Sequence, residues 1–97
     1  MPAYLIGTIR VTDALRWQEY VDRVGATFTQ YGGRVMFRGV KDAQLNGAAH
    51  GESVVVAEFD DAAALKRWHD SVEYQRLTAV RDAAADVVLT AYRSVAP

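Results

Sequence analysis

Cysteine is absent from this chain of 97 residues, and histidine occurs only twice. The absence of cysteine excludes disulfide bonds, thiolate catalysis and cysteine-ligated metals. His50 and His69 are too few for a typical zinc site, which uses three or four protein ligands. We therefore expect neither a metal site nor a cofactor.

Charge of one sign and long apolar runs are also missing. The formal net charge is -1, so no positive field is available to hold a phosphate backbone. No apolar run approaches the roughly 20 residues that cross a bilayer, and the N-terminus does not resemble a signal peptide. These features predict a cytoplasmic protein that binds neither nucleic acid nor membrane.

The overall composition is that of a globular protein, with 51% hydrophobic and 24% charged residues. The length predicts a single domain over residues 1–97. A chain this short buries only about 60–65% of the surface that its unfolded form exposes. Association with a second copy would therefore bury apolar surface that the chain cannot cover alone.

Four segments are rich in β-branched and apolar residues and are predicted to be strands: 4–11, 34–40, 53–59 and 86–93. In the first of them, Tyr4 and Ile6 point to one side while Leu5 and Ile9 point to the other. Both sides carry apolar groups, so we expect both faces of the sheet to be covered.

Two helical regions separate the strands. The first begins at Thr12-Asp13, ends at Gly32-Gly33, and carries an apolar stripe of Trp17, Tyr20, Val21, Val24, Phe28 and Tyr31. The second begins at Asp60-Asp61 and restarts at Ser71, with apolar positions Ala64, Leu65, Trp68, Tyr74, Leu77, Val80 and Ala84.

The resulting order is β-α-β-β-α-β, which is typical of the ferredoxin-like α+β fold. This fold predicts a four-stranded antiparallel sheet with the helices on one face. Leaving the apolar residues of the other face in water would expose a large apolar patch. A second copy that packs sheet against sheet would cover it, so we predict a homodimer.

Several short segments resemble the family called domain of unknown function 1330. They are the opening Met-Pro-Ala-Tyr, the Thr12-Asp13 turn, Tyr31-Gly32-Gly33-Arg34, Arg38-Gly39, the strand from Val54 to Phe59, and Trp68 with Ser71-x-Glu73-Tyr74-Gln75. The resemblance covers essentially the whole chain. One departure is Val72, which stands where the family usually has proline; proline there only favours the helix start.

The resemblance implies the dimeric α/β-barrel superfamily, with a homodimer and a pocket between sheet and helices in each subunit. Members of that superfamily include cofactor-independent quinone monooxygenases, haem-degrading oxygenases, lactone isomerases and stress-response proteins. Fold therefore narrows function very little, and the family itself implies no established activity.

Charged residues within the apolar strands are the first candidates for a ligand site. Arg34 and Arg38 lie four residues apart on one strand and are expected to share a face, with Arg10 and Glu58 contributed by other strands. A guanidinium fork matches a carboxylate, so this set could hold a small organic acid. The alternative is an internal salt bridge between Glu58 and an arginine that serves only the structure.

Glu58, Tyr31 and His69 are the candidates for acid–base catalysis. In haem-degrading members of the superfamily a histidine on the second helix ligates iron, which makes His69 worth considering. Against this, the first strand lacks the asparagine that those oxygenases use. His69 could equally be an exposed histidine near a helix end.

Trp68 and Tyr74 are candidate ligand-binding residues within a larger aromatic set that also contains Tyr4, Trp17, Tyr20, Tyr31 and Tyr92. Aromatic rings with polar tips suit a pocket for a planar ligand, and they also suit an ordinary core or interface.

Three functions remain open: a cofactor-independent enzyme acting on a small planar or carboxylated molecule, a non-catalytic ligand-binding or stress-related dimer, and a haem-linked oxygenase.

Overall fold

The computed structural model describes residues 1–96 and contains four strands and four helical segments. In chain order these are β1 (Ala3–Val11), α1 (Ala14–Gln30), β2 (Arg34–Val40), β3 (Ser53–Phe59), α2 (Ala62–Asp70), α3 (Val72–Gln75), α4 (Thr78–Ala84) and β4 (Ala85–Arg93). No helix within residues 1–96 is long and apolar enough to span a membrane.

The strands form one antiparallel sheet in the order β2-β3-β1-β4. Alternate residues of β1 and β3, including Leu5, Ile9, Val55 and Phe59, are buried on the face that meets the helices. The predicted ferredoxin-like α+β fold is thereby confirmed. The Cα atoms of the protein span only 16 Å along the shortest axis, because a single layer of helices packs on a single sheet.

Each predicted helix start has a side chain that caps it. The carboxylates of Asp13 and Asp61 accept hydrogen bonds from the amides of Arg16 and Ala64. Ser71 Oγ accepts from the amide of Tyr74 at 3.1 Å and donates to the Trp68 carbonyl at 2.6 Å. A cap of this kind satisfies amides that have no partner within the helix, so Ser71 both ends α2 and starts α3.

The core lies between the sheet and the helices and is centred on Trp68, which has no exposed surface. Its ring lies 4.8 Å from the Phe28 ring and 5.7 Å from the Phe59 ring, measured between centroids. Its indole Nε1 donates to Thr27 Oγ1 at 2.9 Å. The buried indole therefore has aromatic neighbours for its ring and a hydrogen-bond acceptor for its N–H group.

An irregularity in β2 changes which way its side chains point. Val35 pairs with Ala57, but Phe37 pairs with Val56, so Met36 is one extra residue in the strand. Such a bulge breaks the two-residue alternation. The expectation that Arg34 and Arg38 share a face is therefore wrong. Arg34 pairs with Glu58 on the open face, whereas Arg38 pairs with the buried Val55 on the helix face.

The sheet face away from the helices, here called the open face, is largely apolar at its centre. Ile6 of β1 pairs with Val56 of β3, and Val56 pairs with Phe37 of β2. Phe37 is 54% exposed and Val88 of β4 is 46% exposed. Within residues 1–96, no helix covers this face.

The connection 41–52 is held to one end of the open face by His50. Its Nδ1 lies 2.9 Å from Thr8 Oγ1, and its Nε2 lies 3.2 Å from Asp86 Oδ2. The following residue, Gly51, has a φ of 71° and is buried against β1. A Cβ at Gly51 would lie 2.3 Å from the Ile9 carbonyl oxygen, which already accepts the amide of Glu52.

Gly51→Ala is expected to lower the free energy of unfolding substantially, and Gly47→Ala is its matched control. Both glycines have a φ of 71°, but a Cβ at Gly47 would meet nothing within 4 Å. Both variants carry about 1 kcal/mol of left-handed strain, and only Gly51→Ala adds a clash with backbone. Urea unfolding should show Gly51→Ala less stable than Gly47→Ala by about 2 kcal/mol; equal losses would contradict this packing.

Candidate functional site

A cleft lies between α1 and the β2–β3 edge of the sheet, and we call it the Trp17 cleft. Its volume is about 310 Å³, which is within the range of small-ligand pockets. It is lined by Ile9, Trp17, Gln18, Val21, Arg38, Gly39, Val40, Ser53 and Val54. The lining is thus mostly apolar, with one aromatic ring and one charged group.

Arg38 is the charged group of the Trp17 cleft. It is exposed, and within residues 1–96 no carboxylate lies within 4.0 Å of its guanidinium. It also lines a smaller interior cavity of about 20 Å³, together with Ile9, Trp17 and Tyr20. Its guanidinium is therefore free to bind an anion beside an aromatic surface.

Arg34, in contrast, is engaged on the open face. Its guanidinium forms an ion pair with Glu58, whose side chain is only 16% exposed, and lies 3.9 Å from Asp60. The pKa of the neighbouring Tyr4 is raised, chiefly because its hydroxyl donates a hydrogen bond to the Glu58 carboxylate. The internal salt bridge considered for Glu58 is therefore present, and it neutralises one of the two predicted arginines.

A pair of buried tyrosines lies behind the Trp17 cleft. Tyr20 of α1 is 6% exposed and Tyr74 of α3 is fully buried, and their hydroxyl oxygens are 3.0 Å apart. Arg81 of α4 donates from Nη1 to the Tyr74 hydroxyl at 2.9 Å. The Tyr20 ring stacks on Trp17 with a centroid distance of 5.0 Å. Three helical segments thus meet in one polar network inside the core.

Burial raises the pKa of Tyr20 well above its ordinary value, and the neighbouring Tyr74 hydroxyl adds to this effect. Tyr20 is therefore protonated at neutral pH and is a hydrogen-bond donor rather than a phenolate. The Trp17 cleft can accordingly offer a cation from Arg38, and a neutral hydroxyl lies behind the cleft on Tyr20.

The predicted acid–base residues lie apart from one another and from the Trp17 cleft. Tyr31 donates its hydroxyl to Glu73 Oε2 at 3.0 Å, which raises the pKa of Tyr31. His69 is exposed on α2 and lies 3.1 Å from the Asp70 carboxylate. Glu58 occupies the open face. Any catalytic role for these three residues stays a prediction.

His69 borders a second cleft, of about 400 Å³, between α2 and the β1–β4 edge of the sheet. Its apolar lining includes Leu65, Trp68 and Leu89. Within residues 1–96, no three His, Asp or Glu side chains are grouped to hold a metal ion. His69 and Asp70 alone do not make up the three protein ligands that a metal site usually has.

The other candidate ligand-binding residues divide between core and surface. Trp68 and Tyr74 are fully buried, with ring centroids 4.1 Å apart. Trp68 also lines the interior cavity. Arg10 is exposed at one end of the open face, where its Nη1 lies 3.9 Å from the Asp86 carboxylate. The structure thus places these three residues in different surroundings.

Sequence reasoning did not select Trp17, Tyr20 or Arg81 as site residues. It placed Trp17 and Tyr20 in the aromatic set and in the apolar stripe of α1, and both patterns suit an ordinary core as well as a pocket. A tyrosine within such a stripe does carry one signal, because its buried hydroxyl requires a hydrogen-bond partner. The identity of that partner depends on how α3 and α4 pack on α1.

The sequence matches the domain of unknown function 1330 (DUF1330) over residues 2–95. The chain belongs to this family. The resemblance inferred from the short segments is therefore confirmed. No curated protein matches the chain in sequence.

Solved structures share the fold at low sequence identity. A protein of unknown function from Rhodopseudomonas palustris is 23% identical, with a TM-score of 0.82 over 99% of this chain and 84% of that one. A dimeric ferredoxin-like protein of unknown function from Jannaschia sp. CCS1 is 13% identical, with a TM-score of 0.75 over 97% of this chain and 100% of that one. SnoaB from Streptomyces nogalater, a cofactor-independent oxygenase, is 11% identical, with a TM-score of 0.72 over 99% of this chain and 95% of that one.

Tyr20→Phe is expected to change how stability depends on alkaline pH. The pKa of Tyr20 is raised in the folded state above its ordinary 10.0, so the stabilisation is complete below pH 10 and is lost as the pH rises above it. The wild type should lose up to about 1.4 kcal/mol more per pH unit there than Tyr20→Phe. Urea unfolding between about pH 8 and pH 11 measures this slope; parallel curves would contradict the proposed ionisation state.

Proposed function

We propose that the protein is a homodimer in which each subunit binds a small planar carboxylate in the Trp17 cleft, as the substrate of a cofactor-independent enzyme. One observation carries the proposal: the β2 bulge turns Arg38 onto the helix face, beside Trp17 and away from any carboxylate of residues 1–96. Arg38 supplies the bidentate donor that a carboxylate needs, and Trp17 supplies a surface for a flat ring.

The contrast between the two arginines of β2 supports this choice of site. Arg34 already has Glu58 and Asp60 as partners, so an added anion would compete with existing ion pairs. Arg38 has no such competitor within residues 1–96 and lies against an apolar surface, where a charge-assisted hydrogen bond is strengthened. SnoaB supports the enzymatic part of the proposal only as a protein with the same fold that is a cofactor-independent oxygenase.

The homodimer rests on the open face. Its apolar residues at the centre, Ile6, Phe37 and Val56, lie side by side across three strands, and a second sheet packed on them would remove this surface from water. The Jannaschia protein, a dimer with the same fold, supports this assembly. The Trp17 cleft lies on the helix side of the sheet and remains accessible when two open faces meet.

Arg38→Ala is expected to weaken binding of 2-naphthoate at least roughly tenfold, because the lost bond is charge-assisted. Arg34→Ala is the matched control and should leave the Kd within about twofold, since Arg34 lies on the other side of the sheet. Isothermal titration calorimetry gives both values. The neutral 2-naphthamide should bind the wild type more weakly than 2-naphthoate and should not respond to Arg38→Ala.

Equal losses in Arg34→Ala and Arg38→Ala would count against the Trp17 cleft as the site. Binding without conversion of any aromatic carboxylate, followed by mass spectrometry under air, would favour the non-catalytic ligand-binding function.

Val56→Glu is expected to abolish the dimer, because it places a charge at the centre of the open face. Val72→Glu is the control, since Val72 lies on α3 and is already 62% exposed. Native mass spectrometry should give twice the chain mass of 10.7 kDa for the wild type and Val72→Glu, and the single mass for Val56→Glu. A monomeric wild type would contradict the homodimer.

A further inference from the structure

The buried tyrosine pair contains one hydroxyl hydrogen that has no acceptor within residues 1–96. Tyr20 and Tyr74 bring two hydroxyl hydrogens, and a single contact of 3.0 Å joins their oxygens. Only one of the two hydrogens can lie in that contact. The remaining neighbour, Arg81, is a donor to Tyr74 and has no acceptor atom on its side chain.

Within residues 1–96, the structure provides no third partner for either hydroxyl. The Tyr74 oxygen accepts from Arg81, and either tyrosine can be the donor in the contact between the two hydroxyls. In the arrangement where each hydroxyl oxygen accepts one hydrogen bond, Arg81 donates to Tyr74 and Tyr74 donates to Tyr20. The hydrogen left over then belongs to Tyr20. Leaving a buried donor without an acceptor is costly, which points to an acceptor that is not part of the chain.

The interior cavity is the space beside Tyr20 that can hold such an acceptor. Tyr20 lines the cavity and Tyr74 does not. The cavity also shares Ile9, Trp17 and Arg38 with the Trp17 cleft. Its volume of about 20 Å³ holds one water-sized group, so it fits a single oxygen atom of a larger molecule seated in the cleft.

We propose that the Tyr20 hydroxyl donates a hydrogen bond to a second oxygen of the bound carboxylate, and that the ligand is a planar acid carrying a carbonyl group. This inference rests on the proposed function and narrows its substrate class. Arg38 binds the carboxylate, Trp17 packs on the ring, and Tyr20 selects the carbonyl. Tyr74 and Arg81 act as positioning residues, because Arg81 donates to Tyr74 and Tyr74 donates to Tyr20, which directs the Tyr20 hydrogen away from the pair.

A carbonyl suits this position better than a hydroxyl does. A carbonyl oxygen only accepts, whereas a hydroxyl would bring a further hydrogen into a cavity whose polar neighbours, Tyr20 and Arg38, are both donors at neutral pH. Sites that pair a buried polar group with a substrate oxygen discriminate strongly against analogues without it.

The test compares 4-acetylbenzoate with 4-isopropenylbenzoate, which replaces the carbonyl oxygen by a methylene group of similar shape; the 3-isomers are run alongside. Calorimetry on the wild type should show the acetyl compound binding roughly tenfold more tightly in at least one isomer pair. Tyr20→Phe should remove this preference. Tyr92→Phe is the matched control and should keep it, because Tyr92 lies on the open face and lines neither the cleft nor the interior cavity.

A second measurement covers the case in which Tyr20→Phe does not fold. The infrared carbonyl stretch of ¹³C-labelled acetylbenzoate bound to the wild type should lie at the lowered frequency of a hydrogen-bonded ketone. A frequency equal to that in an alkane solvent would overturn the inference. A wild type that binds both compounds equally would also overturn the inference, and so would an acetyl preference that persists in Tyr20→Phe. In either case the acceptor for the Tyr20 hydrogen would be a buried water and not the ligand.

The two proposals fail in different ways. If Arg38→Ala binds both compounds as the wild type does, the carboxylate site itself is wrong. If Arg38→Ala weakens both compounds equally while Tyr20→Phe leaves the acetyl preference unchanged, the Trp17 cleft stands and only the role of Tyr20 is overturned.

Discussion

Side chains alternate across a sheet that only one helical layer covers, and the rest of this structure depends on that alternation. Residues on one side of β1 and β3 are buried against α1 and α2, while those on the other side remain on the open face. A residue's face decides whether it joins the core, an ion pair on the sheet, or the Trp17 cleft. A single extra residue in a strand moves the side chains that follow it to the opposite face of the sheet.

Met36 is that extra residue in β2. In a regular strand of the same residues, Arg34 and Arg38 would both lie on the open face. Because of the bulge, Arg34 lies on the open face with Glu58 and Asp60 as partners, whereas Arg38 lies on the helix side, where Trp17 is its neighbour in the cleft. The two arginines of one short strand therefore have different electrostatic surroundings, and only one of them is available to a ligand.

The tyrosine network shows a second consequence of packing one helical layer on the sheet. The helical region after β3 is interrupted at Ser71, which ends α2 and caps the start of α3. This brings Tyr74 into the core beside Tyr20. Arg81 then completes the network from α4. Each polar atom has a partner, but one hydroxyl hydrogen of the tyrosine pair has no acceptor within residues 1–96.

The order of elements, the caps at Asp13, Asp61 and Ser71, and the ferredoxin-like fold could all be predicted from the sequence. These features depend on neighbours in the chain: apolar periodicity, and side chains that cap the amides three residues later. The apolar open face could also be predicted, since strands with apolar residues on both sides require cover on both sides. The family could be recognised because its short segments keep their order along the whole chain.

The site was decided by the tertiary structure. Nothing in Arg34-Val35-Met36-Phe37-Arg38 indicates a bulge, because the offset arises from how β2 pairs with β3. The partnership of Tyr20 with Tyr74 joins residues 54 positions apart, and its hydrogen count depends on Arg81 from a third segment. The sequence alone determined which elements form and which residues are buried, since those follow from local patterns. Which charges remain unpaired, and which buried hydroxyls contact one another, follow from contacts between distant segments, so only the folded chain determines them.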